Sequence, residues 1–72
     1  MQDKKIFPFV IYIIHACASK WNKLPSDVYK ILESKECIEK FLVSNYDVLH
    51  TQSTAFIVED IEEYLNNRGI SI

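Results

Sequence analysis

Glycine is almost missing from this 72-residue chain, which has one, and proline occurs only twice. A single glycine leaves no means of building the Gly-rich elbow or oxyanion loop that usually accompanies a catalytic Ser or Cys. Two cysteines, Cys17 and Cys37, are too few for the disulfide framework of a small secreted domain. Reduced thiols in a cytoplasmic chain are the simpler expectation. Arginine is limited to Arg68 and the net charge is −2, so the basic footprint of a nucleic-acid binder is lacking and no nucleic-acid partner is expected. The uncharged run from Ile6 to Ser19 falls short of the roughly 20 residues a membrane span needs, which argues against membrane insertion. No internal repeat and no low-complexity segment is present.

What is there is apolar. Hydrophobic residues make up 49% of the chain and aromatics 12%, the composition of a folded domain rather than a disordered one. Seventy-two residues allow one domain, 1–72, that buries only about 60% of its unfolded surface. A large catalytic cleft is not expected, and so much apolar surface in so short a chain points to burial against a protein partner or a homo-oligomer. Charge is split along the chain: residues 1–40 hold seven lysines against five acids, and 41–72 hold five acids against Arg68.

The N-terminus imitates an export signal, with Lys4 and Lys5 before IFPFVIYII and the Ala16-Cys17-Ala18 triplet after it. Pro8 interrupts the apolar run, His15 stands where a small residue belongs, and removing the segment would take away the most apolar element. The segment is therefore read as a helix, at about 5–21, with Pro8 in its first turn. Apolar on nearly every side, it should be buried.

Pro25, Ser26 and Asp27 open a second helix with Val28, Tyr29, Ile31 and Leu32 on its apolar face. The pattern restarts near Ser34-Lys35 and places Cys37, Ile38, Phe41 and Leu42 on one side of a third helix ending near Ser44. In the last helix Phe56, Ile57, Ile61, Tyr64 and Leu65 form the stripe, Thr51 or Ser53 caps the start, and Gly69 stops it. The fold class expected is all-α, a compact bundle of about four short helices.

His15, Cys17, Cys37 and His50 are zinc-type residues, but positions 15 and 17 of a helix point about 200° apart and no C-x2-C or H-x3-H pair occurs, so no metal or other cofactor is expected. Cys37 or Ser53 with His50 as base lacks the supporting loops and carboxylate spacing of a catalytic site, and no enzyme is expected. Residues 20–42 offer a helix-turn-helix-like pair rich in lysine, yet its second helix carries Glu36 and Glu39 and nothing suited to reading bases. Glu59, Glu62, Glu63 and Asn66 share a face of the last helix, either a solvated surface or a docking face for a basic partner.

The stretch NYDVLHTQST, residues 45–54, gathers uncharged polar side chains. As a joint it would drop Tyr46, Val48 and Leu49 into the core and tie His50 to a carbonyl; as a site it would present Tyr46, His50, Thr51 and Gln52 at a helix N-terminus. A cap accounts for Thr51 and Ser53 but does not require His50 or Gln52.

The run from the apolar first helix through LPSDVYKIL, Tyr46-Asp47-Val48-Leu49-His50-Thr51-Gln52-Ser53, Ile57-Val58-Glu59-Asp60-Ile61 and Arg68-Gly69 resembles a family of small bacterial proteins of unknown function, number three-seven-nine-one of the domain-of-unknown-function series. The resemblance covers about Ile6 to Gly69, and Leu49-His50-Thr51-Gln52 is its most specific part. It implies a helical fold and, because members tend to be encoded near proteins resembling ADP-ribosyltransferases, an accessory or antitoxin-like role. The family has no established catalytic residues to carry over. The expectation is a non-enzymatic protein-binding module in which the partner, such as a toxin enzyme, meets Tyr46, His50, Thr51, Gln52, Glu59, Glu62 and Glu63. A small transcriptional regulator and a structural homo-oligomer are the alternatives.

Overall fold

The computed structural model describes residues 5–71, in which every regular element is helical and no strand occurs. Helix α1 (Ile6–Trp21) follows the extent expected, with Pro8 in the first turn, where a missing N–H costs little. Its end is made by Asn22, left-handed at φ 57°, and the Lys23 N–H donates to the Ala18 carbonyl at 3.0 Å. Asparagine is among the few non-glycine residues that adopt this conformation readily.

The expectation that α1 is buried all round is corrected. One side, carrying Val10, Ile13, Ile14, Cys17 and Ala18, is buried, while Phe7 is 72% and Tyr12 58% exposed. The reason is supply: α2, α4 and a short turn between them all pack against α1, and among the described residues no further helix covers Phe7.

Helix α2 (Pro25–Ser34) begins with Pro25 in its first turn after an extended Leu24 and buries Val28 and Leu32. Tyr29, expected on the apolar face, is exposed. Glu36, at φ 58°, turns the chain into a π-helical segment, Ile38–Val43, where an α-helix was expected. There the Ser44 N–H reaches back five residues to the Glu39 carbonyl at 3.2 Å. In an α-helix, Cys37 and Leu42 would diverge by about 140°. The wider winding reduces that divergence, and both side chains are fully buried.

A single turn, α3 (Tyr46–Leu49), follows in place of an irregular joint. Leu49 is buried and Tyr46 half-buried, but Val48 is exposed, contrary to expectation, because one helical turn cannot aim positions 46, 48 and 49 the same way. Helix α4 (Thr54–Asn66) is capped by Ser53, whose Oγ accepts the Phe56 N–H at 3.1 Å. It buries Ile57, Val58, Ile61 and Leu65. Val58 thus takes the place expected for Phe56, which is exposed. Beyond α4, Gly69 at φ 87° lets its own N–H reach the Asn66 carbonyl and the Ile70 N–H the Leu65 carbonyl, the paired closure of a Schellman motif.

The core is hydrocarbon and thiol alone: no polar or charged residue among those described is buried. Leu32→Ala should cost about 2–5 kcal/mol, because Leu32 is fully enclosed. Gly69→Ala has open space for its Cβ, so its cost of about 1 kcal/mol should come from the backbone alone. Urea denaturation would check both; an alanine at 69 that leaves stability unchanged would contradict the closure described.

Candidate functional site

The residues singled out in the sequence fall into two places. The first is the corner at the start of α4. Phe9 of α1 meets the Tyr46 ring edge-on at 5.1 Å between centroids, and His50 stacks on Tyr46 at 4.9 Å. The tyrosine is thus fixed from both sides, and His50 rests exposed on its outer face rather than bonding a carbonyl. Thr51 does not cap α4: its hydroxyl donates to the Val48 carbonyl at 2.7 Å, closing α3. Ser53 is the cap, and it already accepts the Phe56 N–H. Gln52 is exposed and its backbone N–H donates to Leu49. Two side chains of the corner therefore serve the local fold, Tyr46 by packing and Thr51 by its hydrogen bond. His50 and Gln52 are left presenting polar atoms outward.

The second place is the face of α4 carrying Glu59, Glu62 and Glu63. These three line a cleft of about 650 Å³ closed on its other side by Lys20 and Trp21 of α1. None of the corner residues lines it, so the two places are separate. Glu62 is not a free docking charge: Trp21 Nε1 donates to its Oε2 at 2.7 Å, and Lys20 Nζ lies 3.2 Å from the same oxygen. The Trp21 N–H, with Lys20 adding to it, holds the Glu62 carboxyl below the usual carboxylate range against the opposing effect of partial burial. Glu59 and Glu63 are exposed beside it. The sequence signal for this contact was the lone tryptophan at the end of an apolar helix, but which acid would meet its N–H depends on how α1 and α4 cross.

The sulfur and imidazole groups do not converge. Cys17 and Cys37 are fully buried, while His15 is exposed and its Nδ1 donates to the Ile11 carbonyl at 2.9 Å. No group of three or more His, Cys, Asp or Glu suited to a metal ion lies among the described residues. Burial pushes both thiols up to about 12, which makes them poor nucleophiles at neutral pH. Of the lysines in residues 20–42, Lys40 is held by Glu36 at 2.7 Å, and the segment that would act as a recognition helix is the six-residue π-helical turn. Among the described residues no helix is long and apolar enough to cross a membrane.

The chain belongs to the family described as protein of unknown function (DUF3791), whose family model matches residues 8–68. No curated protein and no solved structure gives a match.

Two outcomes follow from these environments. Trp21→Phe should return the Glu62 carboxyl toward 4.5 in a carbon-detected NMR titration and lower stability at neutral pH by about 1 kcal/mol. Since the depressed value stabilises the fold above the ordinary carboxylate range and the benefit disappears as pH falls through the folded value, the wild type and the variant should converge in acid. For the thiols the sign is opposite. The folded chain holds these protons more tightly, so stability is complete below 9.0 and declines as pH rises toward about 12, by up to about 1.4 kcal/mol per pH unit for each thiol. Alkylation by iodoacetamide at pH 8 should track unfolding; rapid labelling of the folded chain would contradict this burial.

Proposed function

We propose that this family member is a non-enzymatic, cytoplasmic protein-binding module, antitoxin-like in role, whose partner is a toxin enzyme of the ADP-ribosyltransferase-like kind. The observation that carries the binding reading is the surface. Among the described residues, eight large hydrophobic side chains are exposed. Single exposed apolar residues are ordinary, but a small domain that leaves this many uncovered retains surface that gains from burial against another protein. The choice of a toxin enzyme rests on the family resemblance and its genetic surroundings.

In this reading exposed apolar side chains supply affinity. Glu59 and Glu63 supply steering, because charges at an interface rim act mainly on association rate and its salt dependence. Glu62 acts indirectly by holding Trp21 and Lys20 in place. His50 and Gln52 supply polar contacts from the corner, on a base made rigid by Tyr46 and Thr51.

Co-expression with an ADP-ribosyltransferase-like enzyme of the kind encoded near members of the family, followed by affinity measurement, tests the proposal. His50→Ala with Gln52→Ala should weaken the complex by roughly tenfold or more with the fold intact, whereas Glu59→Lys with Glu63→Lys should slow association and reduce its salt dependence. An unchanged affinity in the first variant would reduce the corner to a structural joint. No complex with the wild type would remove the antitoxin-like reading, and a stable self-assembly in light scattering would favour a structural homo-oligomer instead.

A further inference from the structure

The exposed apolar side chains are not scattered. Phe7 and Ile11 of α1, Tyr29 of α2 and Val43 at the end of the π-helical segment, four of the eight, line one groove of about 430 Å³. That volume lies within the range of about 300–1,000 Å³ usual for recognition pockets. The buried Val10 and Ile14 form part of the lining, so the groove is continuous with the core. Among the described residues, the charged side chains lining it are both carboxylates, Glu33 and Glu39. Neither takes part in an ion pair among the described residues.

Resting on the protein-binding reading above, we infer that this groove, formed by α1, α2 and the π-helical segment, receives an amphipathic helix of the partner whose apolar face is flanked by Lys or Arg. Two physical arguments select that occupant. The groove's walls are helical, with backbone groups engaged in their own ladders, so they offer no edge to which a strand could add. An extended segment would bring unpaired N–H and C=O groups against an apolar surface, whereas a helix arrives with those groups satisfied. The charges then choose the flank. Carboxylates from α2 and the π-helical segment attract a basic edge, and a symmetric pairing of this face with itself would bring the Glu33 and Glu39 carboxylates of two copies around one apolar contact. The groove is also separate from the corner and from the acidic cleft, since it shares no lining residue with either.

The probe is a fluorescein-labelled helical peptide carrying Leu at i, i+4 and i+7 with Lys at the flanking positions, compared with a twin carrying Glu in place of Lys. The full chain, labelled with nitrogen-15, should bind the Lys peptide saturably, with amide shifts centred on Phe7, Ile11, Tyr29 and Val43. Glu33→Lys with Glu39→Lys, both on exposed positions, should weaken the Lys peptide by about tenfold and reverse the preference in favour of the Glu peptide. Equal binding of the two peptides, shifts centred elsewhere, or no binding overturns the inference. So does concentration-dependent dimerisation in light scattering with shifts at the same four residues, because a second copy would then be the occupant.

Ile11→Asp, tested against the co-expressed enzyme, separates this inference from the broader one. If the wild type forms the complex and Ile11→Asp, shown folded by its amide spectrum, forms it equally well, the groove is not the docking surface while the binding reading stands. If the wild type binds neither enzyme nor peptide, both fall.

Discussion

Everything in this domain depends on one helix being lined on one side only. The inner face of α1 is the wall against which α2, the π-helical segment and α4 all pack. Ile13 and Cys17 are fully enclosed there, in one buried cluster with Val28 and Leu32, Cys37 and Leu42, and Ile57, Ile61 and Leu65. At the far end of α1 the Trp21 N–H on the Glu62 carboxylate fixes how α1 and α4 meet, with an apolar ring on the core side and a polar atom at the water boundary. Because the side of α1 that carries the exposed Phe7 and Ile11 has no helix among the described residues to cover it, the same constraint that makes the core also makes the groove.

The connections carry little glycine, and other residues do its work. Asn22 and Glu36 both occupy the left-handed region, the first closing α1 and the second turning α2 into the π-helical segment. Polar side chains seal further ends: Ser53 at the start of α4, Asn45 through its Nδ2 on the Phe41 carbonyl at 2.9 Å, and Tyr64, whose hydroxyl donates to the Lys35 carbonyl at 3.0 Å. Arg68 lies over the Tyr64 ring at 3.6 Å, so the end of α4 is tied to the π-helical segment through Tyr64 and its neighbour Phe41. Most of the uncharged polar side chains quoted from the sequence are absorbed in this way, which is why His50 and Gln52 stand out.

The all-helical class, the limits of α1, the Pro25 start and the Gly69 stop were legible, because each rests on local chemistry and a strong apolar period; the cap of α4 was narrowed to Thr51 or Ser53, and the structure selects Ser53. The π-helical winding was not, since a pattern at 37, 38, 41 and 42 fits an α-helix as well, and only the need to bury Leu42 beside Cys37 distinguishes them. Phe56 and Val48 were placed in the core because hydrophobicity says that a side chain gains from burial without saying whether a neighbour is there to bury it. Of the candidate site, the acids of α4 were found as a face, but the pairing of Glu62 depends on residues 41 and 42 positions away. The groove was invisible for the same reason: Phe7, Ile11, Tyr29 and Val43 belong to three elements, and composition registered them only as surplus apolarity.

An interior in which no described residue buries a polar side chain also sets how the domain responds to temperature. Its cohesion comes mainly from expelling water from hydrocarbon and sulfur, a force that weakens on cooling. A chain of this size has a low stability maximum, so its tolerance is bounded on the cold side as well as the hot. A bound helix that extends the apolar interior across the open side of α1 would raise and broaden that dome, so occupancy of the surface would widen the range of temperatures over which the domain persists.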